Sequence, residues 1–190
     1  MVYTICIDGI IGSGKSSLIT ELSNDFTCFQ EPVHEWSLLQ NFYDDMPTYA
    51  TPFQFQVLFS FHKLYSTFKN VNDKVLVERC PWSSKNIFAD MFIDNGYITP
   101  DEYKLYCSFY DKLAFNTDLF IYLNVDTDVA YDRILKRNRA SERSLTLEYL
   151  VLLNKKYNKA LSTLKNVVIV DANKPLKEVK ENILDILKAY

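Results

Sequence analysis

The chain has 190 residues, 48% apolar and 24% charged, the balance of one globular domain with one main core. A net charge of −3 and a pI near 5.4 exclude a large basic face for nucleic acid, and no apolar run is long enough to span a bilayer. The start MVYTICIDG has neither the basic region of a secretory signal nor room for a mitochondrial presequence, so a cytoplasmic location is expected. Cys6, Cys28, Cys80 and Cys107 are scattered and the histidines are only two, His34 and His62, which disfavours zinc and suggests reduced thiols. Glycine is more informative. The chain has four, and Gly9, Gly12 and Gly14 cluster where backbone must approach something closely.

The first predicted strand, Tyr3–Ile7, leads into GIIGSGKS, Gly9 to Ser16, which satisfies GxxxxGK[ST] at every specified position. Glycines let backbone N–H groups curl round a β-phosphate, and the helix predicted over Ser16–Ser23 aims its positive end there. Lys15 is expected on the β- and γ-phosphates and Ser16 on Mg²⁺. GTPases are disfavoured, because no DxxG follows a strand and Asn173-Lys174 runs into Pro175-Leu176.

Strand Thr27–Phe29 ends in QEPVHEW, Gln30 to Trp36, which puts Glu31 at a strand's carboxyl end with Pro32 fixing the turn. A lone Glu there is usually a solvated charge, but this is also where a general base for an acceptor hydroxyl would sit, and its neighbours favour that reading. A helix over Thr51–Lys69 carries Phe53, Val57, Phe61 and Leu64 on one face, with Phe55, Leu58, Phe59 and Tyr65 spreading apolar surface onto others. Such a helix is buried on more than one side, either under its own chain or against a second copy. Strand Val75–Val77 then ends in Glu78-Arg79. A carboxylate there suits the water shell of Mg²⁺, and an arginine suits pairing with Glu31.

Helices follow at Ser83–Asn95 and Pro100–Leu113, then strand Leu119–Leu123 and a helix at Val129–Arg137. DRILKRNRASER, from Asp132, places five basic residues between Arg133 and Arg143, with Arg133 and Arg137 on one helical face. This is either a solvated basic helix end or a closing loop whose cations meet a transferring phosphoryl group. A helix at Leu147–Leu164, strand Val167–Val170 and a helix at Pro175–Lys188 complete the chain. Short, uniformly apolar strands separated by helices predict an α/β fold: a doubly wound, five-stranded parallel sheet with helices on both faces, of the P-loop NTPase kinase type. No repeat or linker divides residues 1–190, so one domain is expected, with its phosphate loop at 9–16 and a lid at about 133–145.

Taken together, GxxGxGKS, EPVxxW, ER followed by Ser83, and the lid RxRxxE resemble the deoxynucleoside kinase family, in family order and over nearly the whole chain. The resemblance implies phosphorylation of a deoxyribonucleoside 5′-hydroxyl by ATP with Mg²⁺. It implies ATP contacts from Gly9, Gly12, Ser13, Gly14, Lys15, Ser16, Ser17, Arg133 and Arg137, with Asp171 and Asn173 in the adenine loop. Glu31 corresponds to the base and Arg79 to its partner, with Lys15, Arg137 and Arg139 also catalytic; Ser16 and Glu78 face the metal. Trp36, Tyr43, Gln54, Val57, Phe61, Ser84, Phe88 and Glu142 correspond to the nucleoside site. Cys80 stands where the family has a serine, and Ser84 where deoxycytidine kinases carry Asp. The apolar Val57 and Phe61 suggest a thymidine or broad pyrimidine pocket. The resemblance also implies a homodimer, with Gln54 and Phe88 toward substrate and Phe55, Phe59 or Phe92 toward the partner. Two readings compete: a nucleoside monophosphate kinase of the thymidylate kinase type, whose REPGGT is replaced here by EPVHEW, and a non-catalytic nucleotide-binding module.

Overall fold

A computed structural model describes residues 2–139 and 142–190. Its core is a five-stranded, all-parallel sheet of β1 (Tyr3–Asp8), β2 (Thr27–Phe29), β3 (Lys74–Glu78), β4 (Leu119–Asn124) and β5 (Val167–Asp171), in the order β2-β3-β1-β4-β5. Successive residues of a strand point to opposite faces, yet β1, β3 and β4 are buried almost without a break. Both faces are therefore covered, as their unbroken apolar runs require. The helices are α1 (Lys15–Leu22), α2 (Leu39–Asp44), α3 (Met46–Phe68), α4 (Pro81–Ser83), α5 (Asp90–Asp94), α6 (Pro100–Leu113), α7 (Thr127–Arg137), α8 (Leu147–Ala160) and α9 (Leu176–Ala189). Among the described residues no helix is long and apolar enough to cross a membrane.

The strands run slightly past their apolar residues. Asp8, Glu78, Asn124 and Asp171 still hold sheet register, with Ile7 opposite Glu78 and Asn124 opposite Asp171. Polar side chains thus line up along one edge of the sheet, the edge where parallel α/β folds bind ligands.

Two helical segments depart most from their sequence-based bounds. Thr51-Pro52 has the signature of a helix start, but α3 begins at Met46, where Asp45 accepts from the Thr48 amide at 3.3 Å and Pro47 occupies the first turn. Between α4 and α5 the backbone widens into a π-helical stretch, Ser84–Ala89, which no periodicity announces. The short α2 was likewise not foreseen.

Gly12 shows why the phosphate loop needs its glycines. Its φ is +85°, and a Cβ there would lie 2.3 Å from the backbone oxygen of Ala130 on α7. Neither atom belongs to a flexible side chain, so the loop or the helix would have to move. Gly12→Ala should cost about 2 kcal/mol of stability or more, read as a lowered urea midpoint; an unchanged midpoint would contradict this packing.

Candidate active site

The carboxyl ends of β1, β2 and β3 open into a cavity of about 630 Å³. One end is the phosphate loop, contributing Gly12, Gly14, Lys15, Ser16 and Ser17. Lys15 is buried and donates to the backbone oxygens of Gly9 (3.1 Å) and Ile10 (2.8 Å). Burial and the nearby charge of Arg79 lower its pKa to about 8. An anion in the loop would offset both effects.

Across from Lys15 stand the acidic groups. Ser16 donates its hydroxyl to Glu78 Oε1 at 2.7 Å, and Glu78 Oε2 accepts from the Glu31 amide at 3.4 Å. Among the described residues no group of three or more His, Cys, Asp or Glu gathers around one point. A hydroxyl and a carboxylate beside a phosphate loop are hard oxygen donors, and they fit a small cation that keeps water and phosphate oxygens as its other ligands. Glu31 Oε1 lies 3.3 Å from Arg79 Nε. Burial pushes the Glu31 carboxyl up to about 7, against the pull of Arg79 and with the push of Glu78.

Arg79 is held from behind by residues the sequence reading missed. Its Nη1 donates to Asp8 Oδ1 at 3.0 Å and to the Tyr157 hydroxyl at 2.6 Å, and that hydroxyl donates to the same Asp8 oxygen at 2.8 Å. Asp8 is fully buried and also accepts from the Gly9 amide. Burial opposes the arginine's charge, but Tyr157, Glu31 and Asp8 keep its pKa well above the ordinary value. Asp8 closes the first apolar strand and Tyr157 sits far along on α8, so no local motif links them.

The other end of the cavity is apolar and aromatic. Trp36, Tyr43, Gln54, Val57, Phe61, Ser84 and Phe88 all line it, joined by Phe42, Phe53, Phe92 and Tyr149, which were not singled out for it. Trp36 is fixed by a 2.8 Å bond from its indole nitrogen to Ser60 and by edge contact with Phe53. The Arg79 guanidinium lies 5.1 Å over the Phe88 ring. Burial raises the Tyr43 phenol's pKa, which keeps it a proton donor. One expectation is corrected: Phe92 is 1% exposed and forms cavity wall and core, so it does not face a partner. The physical reason is the π stretch, which rotates α5 relative to a continuous α-helix.

From the lid, Arg137, Arg139 and Glu142 reach the cavity, while residues 140 and 141 lie outside the described residues. Arg137 grips Glu142 with two bonds, 2.7 and 2.6 Å, and Arg139 is 3.7 Å away. Arg133, Asp171 and Asn173 do not line the cavity. Arg133 Nη1 stands 4.0 Å from where a Gly14 Cβ would be, and its Nη2 donates to Ala172 O, so it bridges the phosphate loop and the loop after β5. Asn173 accepts there from the Asp126 amide. Gly9 and Ser13 lie beneath the loop surface; a Cβ on Gly9 would come 2.6 Å from Ser13 Oγ.

A family model described as deoxynucleoside kinase matches residues 5–190. The chain belongs to the deoxynucleoside kinase family. A protein of Invertebrate iridescent virus 3 that carries a kinase name is 63% identical over 187 residues, covering 98% of this chain and 97% of its own. A probable deoxycytidine kinase of Fowlpox virus is 36% identical over 168 residues, covering 83% of this chain and 71% of its own. Among solved structures, the deoxyadenosine kinase of M. mycoides with bound dATP superposes with a TM-score of 0.86 at 29% identity, covering 98% of this chain and 99% of that one. This kinase is thus a nucleoside phosphotransferase with the P-loop NTPase-like fold of its relatives.

The position of Glu31 gives a pH dependence. A carboxyl raised to about 7 still holds its proton in weak acid, and if Glu31 is the base it must be ionised to act. Activity, as kcat/KM for the acceptor, should therefore climb with pH through about 7 and level off above it. The same shift opposes the fold: Glu31 contributes stability below its unfolded pKa, and this is lost as pH rises through about 7. A rate profile flat between pH 5 and about 8 would contradict the buried carboxyl.

Proposed function

We propose that this kinase transfers the γ-phosphate of ATP to the 5′-hydroxyl of a pyrimidine deoxyribonucleoside, thymidine or deoxycytidine, in nucleotide salvage, and that it does so in the cytoplasm. The observation that carries the reading is the Glu31–Arg79 pair, set between the Lys15 loop and the aromatic slot. A nucleoside whose base lies against Phe88 and Trp36 would bring its 5′-hydroxyl to Glu31, which takes the proton. Arg79, clamped by Asp8 and Tyr157, keeps the carboxylate aimed at that point. Arg137 and Arg139 are cations for the phosphate oxygens. The Arg137–Glu142 grip is the contact a bound pair of substrates would exchange, the arginine turning to phosphate and the carboxylate to the sugar 3′-hydroxyl beside Tyr43. Mg²⁺, held through Ser16 and Glu78, would neutralise charge on the β- and γ-phosphates.

A monophosphate acceptor is disfavoured by charge. Its phosphate would have to sit beside Glu31 and Glu78, where a cationic cradle is needed. A non-catalytic module is disfavoured by Arg79, whose φ of +58° costs on the order of 1–3 kcal/mol that binding alone does not require. Release of ADP should follow addition of thymidine or deoxycytidine and not of dTMP. Glu31→Gln should bind ATP nearly as well and lower kcat by roughly 10²–10⁴. Near-wild-type turnover in that variant would remove Glu31 from the role.

Pairing of two copies belongs to the same reading. On the outside of α3 and α6, Phe59 is 49%, Leu105 53% and Phe109 39% exposed, with Phe55 between them. Apolar area yields about 25 cal/mol per Å² when removed from water, and a twofold contact lets one such patch cover its own equivalent. Light scattering at micromolar concentration should give twice the 22.2 kDa chain mass, and Phe59→Glu should reduce it. An active species at the chain mass would rule the pair out.

A further inference from the structure

The Arg79 guanidinium carries five N–H donors, and the fold divides them between two sides. Behind the cavity, Nη1 donates to Asp8 Oδ1 at 3.0 Å and to the Tyr157 hydroxyl at 2.6 Å. That hydroxyl has a single proton and donates it to the same Asp8 oxygen at 2.8 Å, so the three atoms close a triangle. A guanidinium only donates and a carboxylate only accepts, which leaves each proton in the triangle one direction. One hydrogen bond fixes a distance; two, from one nitrogen to separate acceptors, also fix how the planar group is turned. The second of these acceptors is Tyr157. It belongs to α8, is fully buried, does not line the cavity, and rests its ring against Tyr122 at 5.1 Å.

On the cavity side the guanidinium is only partly engaged. Nε stands 3.3 Å from Glu31 Oε1. Nη2, on the same edge as Nε, makes no hydrogen bond among the described residues. Only Asp8 Oδ2 and Thr51 Oγ1 are enclosed there without a partner, so Nη2 opens to the cavity that Arg79 lines. The lid shows what an arginine does with a carboxylate when it is not held from behind. Arg137, whose guanidinium has no other hydrogen bond among the described residues, grips Glu142 with Nε at 2.7 Å and Nη2 at 2.6 Å. Such a fork is the geometry that the two groups favour. At Arg79 it is withheld: Glu31 has one long contact, and a charged N–H donor is left free beside it.

We propose that Tyr157 is a positioning residue for phosphoryl transfer: with Asp8 it turns Arg79 so that Nη2 stays free for the reacting oxygens and is not taken up by Glu31. The proposal rests on the reading under Proposed function and deepens it. In that reaction the 5′-oxygen bonds to the γ-phosphorus and the bond to the β–γ bridging oxygen breaks. ADP departs with that electron pair, and the hydroxyl proton passes to Glu31. A charged donor held free beside the base meets the charge that shifts among these oxygens. Tyr157→Phe removes one oxygen. Nη1 then keeps a single contact, and Arg79 can swing to fork Glu31 as Arg137 forks Glu142. The kcat for ADP release with thymidine or deoxycytidine should fall about tenfold or more, with both KM values within about twofold. Tyr122→Phe removes a neighbouring buried hydroxyl that bonds Asn154 and not Arg79, and should leave kcat within about twofold. In the wild type at low temperature, the Nη1 protons of Arg79 should give resolved, slowly exchanging NMR signals. A single averaged Nη signal would overturn the clamp even if the variant did not fold. So would a Tyr157→Phe kcat near wild type, a loss confined to KM, or an equal loss in Tyr122→Phe. No ADP release by the wild type with either nucleoside would instead refute the reading on which the proposal rests.

Discussion

One guanidinium, Arg79, holds the catalytic edge in register. It emerges from β3 with φ +58°, a conformation that a bulky side chain adopts only under constraint, while its amide still bonds to Ile7 on β1. The turn throws the side chain back across the strand ends, where Asp8 takes one side and Glu31 the other. A single positive charge shared by two carboxylates cannot satisfy either fully. Among the described residues, Asp8 accepts three hydrogen bonds on Oδ1 and none on its buried Oδ2. Glu31, at the cavity side, is pushed up to about 7 chiefly by burial, which the pull of Arg79 offsets only in part. A guanidinium facing Glu31 alone would pull its pKa further down. The left-handed backbone is what lets one side chain reach both carboxylates.

The same network ties the lid to the chemistry. Tyr157, which closes the ring between Arg79 and Asp8, stands on α8, and α8 starts directly after the lid, with Thr146 as its cap. One residue earlier, Lys156 is pinned between Asp90 and Asp94 at 2.6 Å each, which locks α8 to the segment that carries Phe88 and Phe92. Two charge-assisted contacts thus anchor α8 at its far end. Just before its start, Arg137 and Arg139 make ion pairs with Glu142.

Much of this was legible in the sequence, for a physical reason. The phosphate loop, the EP turn, the ER strand end and the basic lid are local signals, because each is a run of neighbours doing one job. Their placement on strand ends needed only the alternation of short apolar runs and helices. The parts that were not legible depend on distance along the chain. Asp8 and Tyr157 meet across 149 positions, and Ser84 and Gln54 across 30. An Asp after a strand, or a Tyr on an amphipathic helix, carries no mark of the other. Helix bounds failed where two start signals competed, as at Asp45 and Thr51. The facing of Phe92 failed because a π turn shifts every later side chain around the axis, and period 3.6 cannot anticipate it.

α3 shows how one segment can be apolar nearly all round and still be specific. Its inner face gives Gln54, Val57 and Phe61 to the cavity. A neighbouring stripe gives Ser60 to the Trp36 indole, so the wall is braced by the helix that also supplies it. The opposite side carries Phe55 and Phe59, which stack on each other and meet Phe109 of α6 edge-on. Between these faces runs the contact with Tyr106, which meets Phe55 edge-on at 5.6 Å while its hydroxyl lies 3.0 Å from Ser84 Oγ. The ring of Tyr106 therefore belongs to the outer aromatic layer and its oxygen to the buried polar contact behind Gln54, because a tyrosine is long enough to have one end in each.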